Sequence, residues 1–229
     1  MDTYALLIAS TLSAGTALAL ASLGLLINEK AGIVNLGAEG MMLCAAIAGY
    51  AAVVKTGNPW IGFLAGMAAG AVLAAIFGWL VIWLNTNQYA TGLALSLFGV
   101  GFSAFVGISY VQARIPERGV FDIPVLGDLP FVGPALFRQH PMVYLSVALA
   151  IGMIYFLYRT RAGLVLRSVG ESPVAAHALG YPVRRIRLAA VVAGGALCGL
   201  AGAYISTVYT PLWVEGMTAG RGWIALALT

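Results

Sequence analysis

Charge is scarce in this chain of 229 residues. Only 9% of the residues are charged, whereas 61% are hydrophobic and the mean hydropathy is +0.95. Soluble domains carry about 25% charged and about 45–50% apolar residues, so water would not keep this chain dispersed. The shortage excludes an ordinary soluble domain, including a soluble nucleic-acid-binding one, despite the formal net charge of +4. It indicates a chain whose solvent is largely lipid.

Cysteines are few, and the usual catalytic motifs are missing. Cys44 and Cys198 lie inside apolar stretches without metal-ligand spacing, and we interpret them as small buried residues. The sequence contains no nucleotide-binding Gly-x-x-x-x-Gly-Lys-Ser/Thr, no Gly-x-Ser-x-Gly and no His-Glu-x-x-His motif. His140 and His177 fall on opposite sides of the predicted membrane. These absences disfavour an intramembrane enzyme and a chain that binds ATP itself.

Long apolar runs are abundant. A helix that crosses the hydrocarbon layer needs about 20 mostly apolar residues. The runs are continuously apolar rather than alternating, which favours helices over the strands of a membrane barrel. We therefore predict an all-α polytopic membrane protein, a single transmembrane domain over residues 1–229. The six predicted transmembrane helices are Tyr4–Ile27, Leu36–Val54, Pro59–Leu84, Tyr89–Val111, Met142–Tyr158 and Leu188–Thr210.

The two ends of the chain carry separate predictions. Tyr4–Ile27 contains no charge and no basic residue precedes it, so we expect a first span rather than a removable signal. A seventh apolar run begins at Trp223 and reaches Thr229 after seven residues, too few to cross a membrane. We interpret this run as the start of a seventh helix and the chain as truncated relative to a longer protein.

Basic residues are distributed unevenly between the predicted spans. Segment 159–187 holds six of the twelve lysine and arginine residues, so the positive-inside rule places it in the cytoplasm. Counting helices back from it places the N-terminus and segment 112–141 outside. We predict that 112–141 is an external loop. Its prolines and the Gly127-Asp128 turn are typical of an ordered cap, and a plain connection is the alternative.

Two polar residues introduce the second predicted span. Asn35 can cap the helix that follows it, and Glu39 then lies in the first turn, where the helix dipole favours a carboxylate. A carboxylate entering the bilayer is costly and usually faces an aqueous cavity. Asn35 and Glu39 are four residues apart, so they would share one helix face. The pattern predicts either a plain helix start or part of a substrate path near the inner membrane edge.

A second polar group, Asn87, Thr91 and Ser96, leads from a turn into the fourth predicted span. As a turn with an N-cap it needs no further explanation. Neutral donors and acceptors that continue along one helix face would instead suit an uncharged polar solute, so we predict a substrate path here as well. Further along, the segment Pro211–Gly222 either lies in interfacial water or lines the outer end of that path.

The predicted cytoplasmic loop contains a short helix with clear ends. Ser172 is a good N-cap, Pro173 suits the first helical position, and Gly180 is a natural stop. The two turns between them, about 10 Å long, offer small side chains on which a cytoplasmic motor domain can push. The alternative is a surface helix that lies at the lipid headgroups. We predict ATPase-coupling roles for six residues: Glu171, Ser172, Pro173, Ala175, Ala176 and Gly180.

Four stretches together resemble one family of membrane proteins. They are GIVNLGAEGMM (residues 32–42), NQYATGLAL (87–95), LRSVGESP (166–173) with the two alanines that follow, and MTAGRG (217–222). They resemble the permease subunits of ABC importers of the branched-chain amino acid and simple-sugar group. The likeness is greatest to nucleoside/riboflavin-type permeases that work with basic membrane lipoproteins.

The coupling loop and the path each depart from the family at one position. The spacing Ala175-Ala176-x-x-x-Gly180 is similar to the Glu-Ala-Ala-x-x-x-Gly loop by which ABC permeases meet their ATPases. Val174 stands where that pattern has Glu. Ser96 stands where many relatives have Asn, which alters the expected pocket.

The resemblance implies a transport subunit in a bacterial inner (plasma) membrane rather than an enzyme. The implied partners are a cytoplasmic ABC ATPase, a second permease subunit, an external solute-binding lipoprotein and the membrane lipids, with no nucleic acid. No cofactor is expected in this chain, because the partner ATPase would use ATP and magnesium. The implied solute is a nucleoside, a flavin or a simple sugar. The residues leave an ion-coupled secondary transporter and a channel open as alternatives.

Overall fold

Helices make up most of the computed structural model, which describes residues 2–115, 121–122 and 138–229. Six helical segments in that part of the chain are long and apolar enough to cross a membrane. Each predicted span is confirmed to within six residues at either end. The helices are α1 (Asp2–Lys30), α2 (Ala38–Thr56), α3 (Pro59–Ile82), α4 (Gln88–Gly107), α5 (Pro141–Arg159), α6 (Arg161–Glu171), α7 (Pro173–Ala178), α8 (Val183–Tyr204) and α9 (Arg221–Ala227).

The segment between α4 and α5 is described only in part. A 3-10 turn, Ile108–Tyr110, follows α4. Strands β1 (Phe121–Asp122) and β2 (Arg138–Gln139) form a short antiparallel pair. The Gly127-Asp128 turn predicted for an external cap lies outside the described residues.

Helix α8 is the centre of the bundle and packs against α1, α2 and α3. Glycines take the place of side chains where the helices cross. A Cβ atom added at Gly199 would overlap the carbonyl of Gly66, and one added at Gly202 would overlap the carbonyl of Met42. Small residues that let backbones touch are the usual means of helix packing in lipid. The interior of the bundle is therefore held by backbone contacts as much as by side chains.

Helices α4 and α5 lie at the periphery and expose apolar side chains. On α4, Leu97 and Phe105 are 75% and 76% exposed. On α5, Ile151 is 64% exposed. Such surfaces meet lipid or another chain in a membrane protein.

The interpretation of the two cysteines as buried residues is confirmed, since Cys44 and Cys198 are both buried.

The chain turns back into the bundle after α8. Helix α8 continues into a π-helical turn, Ile205–Tyr209, and an irregular segment then leads to α9. Trp213 in this segment is buried in one cluster with Tyr50, near the end of α2. The hydroxyl of Ser22 donates to the carbonyl of Ala225 in α9 at 3.3 Å. Ser22 precedes the end of α1 by eight residues, or about 12 Å, so α9 lies within the depth of the bundle.

One end of the bundle, which we name the basic end, collects Lys30, Arg159, Arg161, Arg167, Arg184, Arg185 and Arg187. Helices α6 and α7 both lie there, whereas the sequence predicted only α7 within segment 159–187. Thr160 caps α6, because its hydroxyl accepts a hydrogen bond from the Gly163 N–H at 3.0 Å. Leu166 and Val169, three residues apart, are buried on one side of α6. Much of the predicted loop is thus an amphipathic helix.

Candidate functional site

The carboxylate of Glu39 is buried and fully engaged by a distant part of the chain. Glu39 is 7% exposed. Its Oε1 accepts hydrogen bonds from the hydroxyl of Thr218 at 2.5 Å and from the Gly220 N–H at 3.0 Å. Its Oε2 accepts one from the Gly222 N–H at 2.6 Å. Three donors to one carboxylate are the arrangement that makes burial of its charge tolerable.

The Glu39 side chain, from α2, places its carboxylate at the N-terminus of helix α9. That helix begins at Arg221, and Gly220 before it has a φ of +79°, a left-handed conformation that glycine adopts without strain. The first N–H groups of a helix lack acceptors within the helix and carry a partial positive charge. The carboxylate supplies both the acceptors and the opposite charge. A residue at the start of α2 therefore anchors the start of α9.

This contact corrects the expected placement of the segment Pro211–Gly222 relative to Glu39. The sequence assigned Glu39 to the inner membrane edge and Pro211–Gly222 to interfacial water or the outer end of the path. The structure brings Thr218 and Glu39 into direct contact, so the second segment reaches inward past the outer edge. The glycine-rich stretch before α9 indicates a helix start, and the acid at Glu39 indicates a need for hydrogen-bond donors. Neither pattern in the sequence shows that these two segments contact each other.

Asn35 does not cap α2, so that prediction is wrong. Helix α2 begins at Ala38 after Gly37, and no side chain caps it. The side-chain oxygen of Asn35, Oδ1, instead accepts a hydrogen bond from the Gly37 N–H at 3.0 Å, which closes the turn before the helix. Asn35 is 1% exposed and lies outside the helix. It therefore shares no helix face with Glu39.

Ser96 faces the turn before α2 rather than the polar residues that precede it on α4. Its hydroxyl donates to the carbonyl of Leu36 at 2.7 Å, and the residue is 5% exposed. Five residues separate it from Thr91, which is about 140° around a helix. One turn further, a Cβ atom added at Gly99 would overlap Gly40. The predicted single polar face on α4 is thus wrong for Ser96, which belongs to the contact between α4 and α2.

Asn87 and Thr91 lie together at the start of α4, at the basic end. The side-chain oxygen of Asn87 accepts hydrogen bonds from the N–H groups of Tyr89 and Ala90, at 2.9 and 3.2 Å. The predicted N-cap is confirmed. The hydroxyls of Thr91 and Thr86 are 3.0 Å apart. Asn87 is exposed and Thr91 is half-buried, so both can reach a solute.

Helix α7 has the ends that the sequence predicted. The hydroxyl of Ser172 accepts a hydrogen bond from the Ala175 N–H at 3.4 Å, and Pro173 is at the first helical position. Gly180 has a φ of +86° and ends the helix. Ala176 is 2% exposed and faces the protein, whereas Ala175 is exposed. Glu171 is the last residue of α6 and is exposed.

A cavity of about 700 Å³ opens between α7 and the ends of α3 and α4 at the basic end. Val174 and His177 of α7 line one side, and Trp83 and Gln88 line the other. The cavity therefore connects the predicted coupling helix with the turn that carries the exposed polar residues of α4. The start of α8 contributes three cations to its lining, Arg184, Arg185 and Arg187.

An irregular segment that returns into a membrane bundle and ends on a buried helix N-terminus is a feature of membrane transport proteins. Comparison with known proteins gives the class. The family of permease components of branched-chain amino acid transport systems matches residues 7–229, nearly the whole chain. The chain belongs to this family.

Individual relatives span nearly the whole chain as well. The putative glucose ABC transporter permease protein TsgC13 of Haloferax volcanii is 44% identical over 97% of this chain and 69% of its own length. The nucleoside ABC transporter permease protein NupC of Lactococcus lactis is 31% identical over 99% of this chain and 75% of its own length. The guanosine ABC transporter permease protein NupQ of Bacillus subtilis is 32% identical over 97% of this chain and 73% of its own length. No solved structure matches the protein.

The family and its members establish the function at a general level. The chain is a membrane-spanning permease subunit of an ABC transporter. It is a transport component rather than an enzyme. The function predicted from the resemblance is confirmed at this level.

Proposed function

We propose that the imported solute is an uncharged sugar or nucleoside. The observation that carries the proposal is the similarity to permeases named for glucose, nucleosides and guanosine. The chemistry at the start of α4 supports it, because the Asn87 side-chain amide and the Thr91 hydroxyl are neutral. The Asn87 oxygen caps the helix, which leaves its NH2 group as a donor for a solute. Flavins, which the resemblance also implied, have no counterpart among these three relatives.

The path residues divide into two roles in this proposal. Asn87 and Thr91 contact the solute, since they are accessible beside the cavity at the basic end. Asn35, Glu39 and Ser96 shape the wall of the path, since they are buried and their polar atoms are engaged by the protein itself. A buried group with all its partners inside the chain fixes geometry more than it recognises a ligand.

The basic end faces the cytoplasm in this proposal, and the N-terminus lies outside a bacterial inner membrane. The positive-inside rule supports the orientation, because the basic end holds seven of the twelve lysine and arginine residues. Segment 112–141 is then external. An external lipoprotein would deliver the solute to that side.

Helix α7 is the contact for a cytoplasmic ABC ATPase in this proposal. Two apolar side chains, Val174 and Leu179, are 82% and 77% exposed there. Ala176 fixes the opposite side of the helix against the protein. The ATPase binds ATP and magnesium, and no cofactor is assigned to this chain. A second permease subunit completes the path between the two membrane surfaces.

Affinity purification of the tagged protein from native membranes, followed by mass spectrometry, tests the assembly. We expect an ABC ATPase, a second permease and a solute-binding lipoprotein to co-purify. A sugar or nucleoside bound to that lipoprotein would identify the solute. A chain that purifies alone, with uptake that survives ATP depletion but collapses with an uncoupler, would instead establish an ion-coupled transporter.

A further inference from the structure

A second cavity lies on the membrane-facing side of the bundle, between α5, α6 and α8. Its volume is about 820 Å³, within the range of about 300–1,000 Å³ that is usual for ligand pockets. We name it the α5–α8 groove. Small residues from all three helices form its floor and leave it open: Ala148, Gly152, Ala162, Ala189 and Ala193.

The length of the groove along α5 is about the thickness of one membrane leaflet. It extends along α5 as far as Ala148, which precedes the end of that helix at Arg159 by eleven residues. Eleven helical residues span about 16 Å, and one leaflet contributes about half of the ~30 Å hydrocarbon layer. A ligand lying along the groove would therefore run from the membrane surface to the middle of the bilayer.

The surroundings of the groove are apolar and open to the membrane. Beside it, Ile151 and Ile154 on α5 are 64% and 62% exposed, and Leu164 on α6 is 60% exposed. The interior is lined almost entirely by aliphatic and aromatic side chains such as Met153 and Phe156. Such a surface can bind a hydrocarbon chain without leaving a buried polar group unpaired.

Polar groups are confined to the mouth of the groove at the basic end. Arg161 and Tyr181 line it there, and no acidic residue is among the lining residues that the structure describes. Arg161 is exposed, at the first position of α6. An arginine at the membrane surface attracts the phosphate of a lipid headgroup, and an anionic headgroup more than a zwitterionic one. The tyrosine hydroxyl is an additional donor at this depth.

We propose that the α5–α8 groove binds one phospholipid with an anionic headgroup. One acyl chain fills the apolar part, and the phosphate lies at Arg161 and Tyr181. No residue of α7 or α4 lines the groove. It does not depend on which solute the protein transports.

Native mass spectrometry of the purified full chain tests the proposal with two lipids that share the same acyl chains. We expect dioleoyl phosphatidylglycerol to bind as one retained molecule and dioleoyl phosphatidylcholine to bind more weakly. Gly152→Phe should abolish retention. A Cβ atom at Gly152 meets nothing within 4 Å, so the ring enters the groove without displacing the backbone. Gly101→Phe is the matched control, because Gly101 on α4 is equally open but lies outside the groove.

The headgroup contact is tested separately, with a variant that leaves the groove open. Arg161→Gln should weaken phosphatidylglycerol binding about fivefold and bring it close to that of phosphatidylcholine. Arg159→Gln, two residues away and outside the groove lining, should leave it unchanged. Inorganic phosphate should not compete, since an acyl chain supplies most of the affinity.

Three results would overturn the proposal. The first is equal phosphatidylglycerol retention by the Gly152→Phe variant and the unmodified protein. The second is displacement of the lipid by inorganic phosphate at the concentration at which it binds alone, which would show a simple anion site. The third is loss of pairing between the Gly152→Phe variant and a second permease subunit, which would show that a helix of that subunit fills the groove.

Discussion

Glu39 and helix α7 depart from apolar packing in opposite ways. Glu39 places a charge inside the bundle and surrounds it with three donors of the same chain. Helix α7 and Leu179, which directly follows it, place apolar side chains outside, since Val174 and Leu179 are more than three-quarters exposed. A buried polar group with internal partners holds a fold together. Bare apolar side chains indicate contact with another molecule. The two regions therefore separate what fixes the permease from what connects it to its partners.

The largest effect is expected from removing the buried carboxylate. Glu39→Ala leaves the Thr218 hydroxyl and the N–H groups of Gly220 and Gly222 without their acceptor. Each unsatisfied buried group costs about 1–3 kcal/mol, so the sum is a large part of the ~5–15 kcal/mol that stabilises a typical domain. We expect loss of the monodisperse peak in fluorescence-detected size-exclusion chromatography. Glu39→Gln should retain part of it, because its shape and one carbonyl acceptor remain.

Glu215 provides the matched control for that substitution. It lies on the same irregular segment before α9 but is exposed. Glu215→Ala should leave the elution profile unchanged. If Glu39→Ala folded as well as Glu215→Ala, the anchoring of α9 by α2 would be refuted.

A second prediction concerns the exposed side of α7. Leu179→Glu places a charge on a surface that the proposal assigns to the ATPase, while the fold should be unaffected because the side chain is 77% exposed. We expect uptake to fall about tenfold or more, as for central residues of a protein interface, with less ATPase recovered by affinity purification. Thermal stability of the isolated chain should not change.

Ser168→Glu gives the comparison within the same region. Ser168 is exposed on α6, outside α7, and bonds only locally to the Val165 carbonyl at 2.9 Å. The Ser168→Glu permease should take up solute at the normal rate. Normal uptake by Leu179→Glu would count against α7 as the coupling element. A folding defect would show that the helix serves the bundle instead.

The smallest effect is expected at the start of α4. Thr91→Ala removes one hydroxyl that the proposal assigns to the solute, and its partner Thr86 can turn to water. A single hydrogen bond to an uncharged ligand contributes about 0.5–1.5 kcal/mol, so the concentration for half-maximal uptake should rise about two- to tenfold. Maximal uptake and protein yield should not change. An unchanged half-maximal concentration would remove Thr91 from the solute path.

Features that depend on a few neighbouring residues could be predicted from the sequence. The spans follow from apolar runs, and both ends of α7 follow from Ser172, Pro173 and Gly180. The cap at Asn87 follows in the same way. In each case the physical cause lies within one or two turns of helix. The family could also be predicted, because its stretches are local patterns in a fixed order.

Features that depend on contacts between distant residues could not be predicted from the sequence. Glu39 and Thr218 are 179 positions apart in the sequence, and no periodicity links them. Asn35 failed as a cap because its side chain bonds two residues ahead, so the helix begins later. Ser96 was placed on the wrong side of α4 because a list of polar residues does not specify the rotation of a helix. Tertiary contacts decide all three.

The glycine crossings limit how the permease can change shape. Where Gly199 meets Gly66, α8 and α3 touch through their backbones, and no layer of side chains remains between them that could switch rotamers. We therefore expect the two helices to move together as one rigid body. The left-handed turn at Gly180, where an added Cβ atom would meet nothing within 4 Å, is free to act as a hinge. Alternating access in this permease would then resemble the rocking of a few stiff blocks more than the sliding of individual helices.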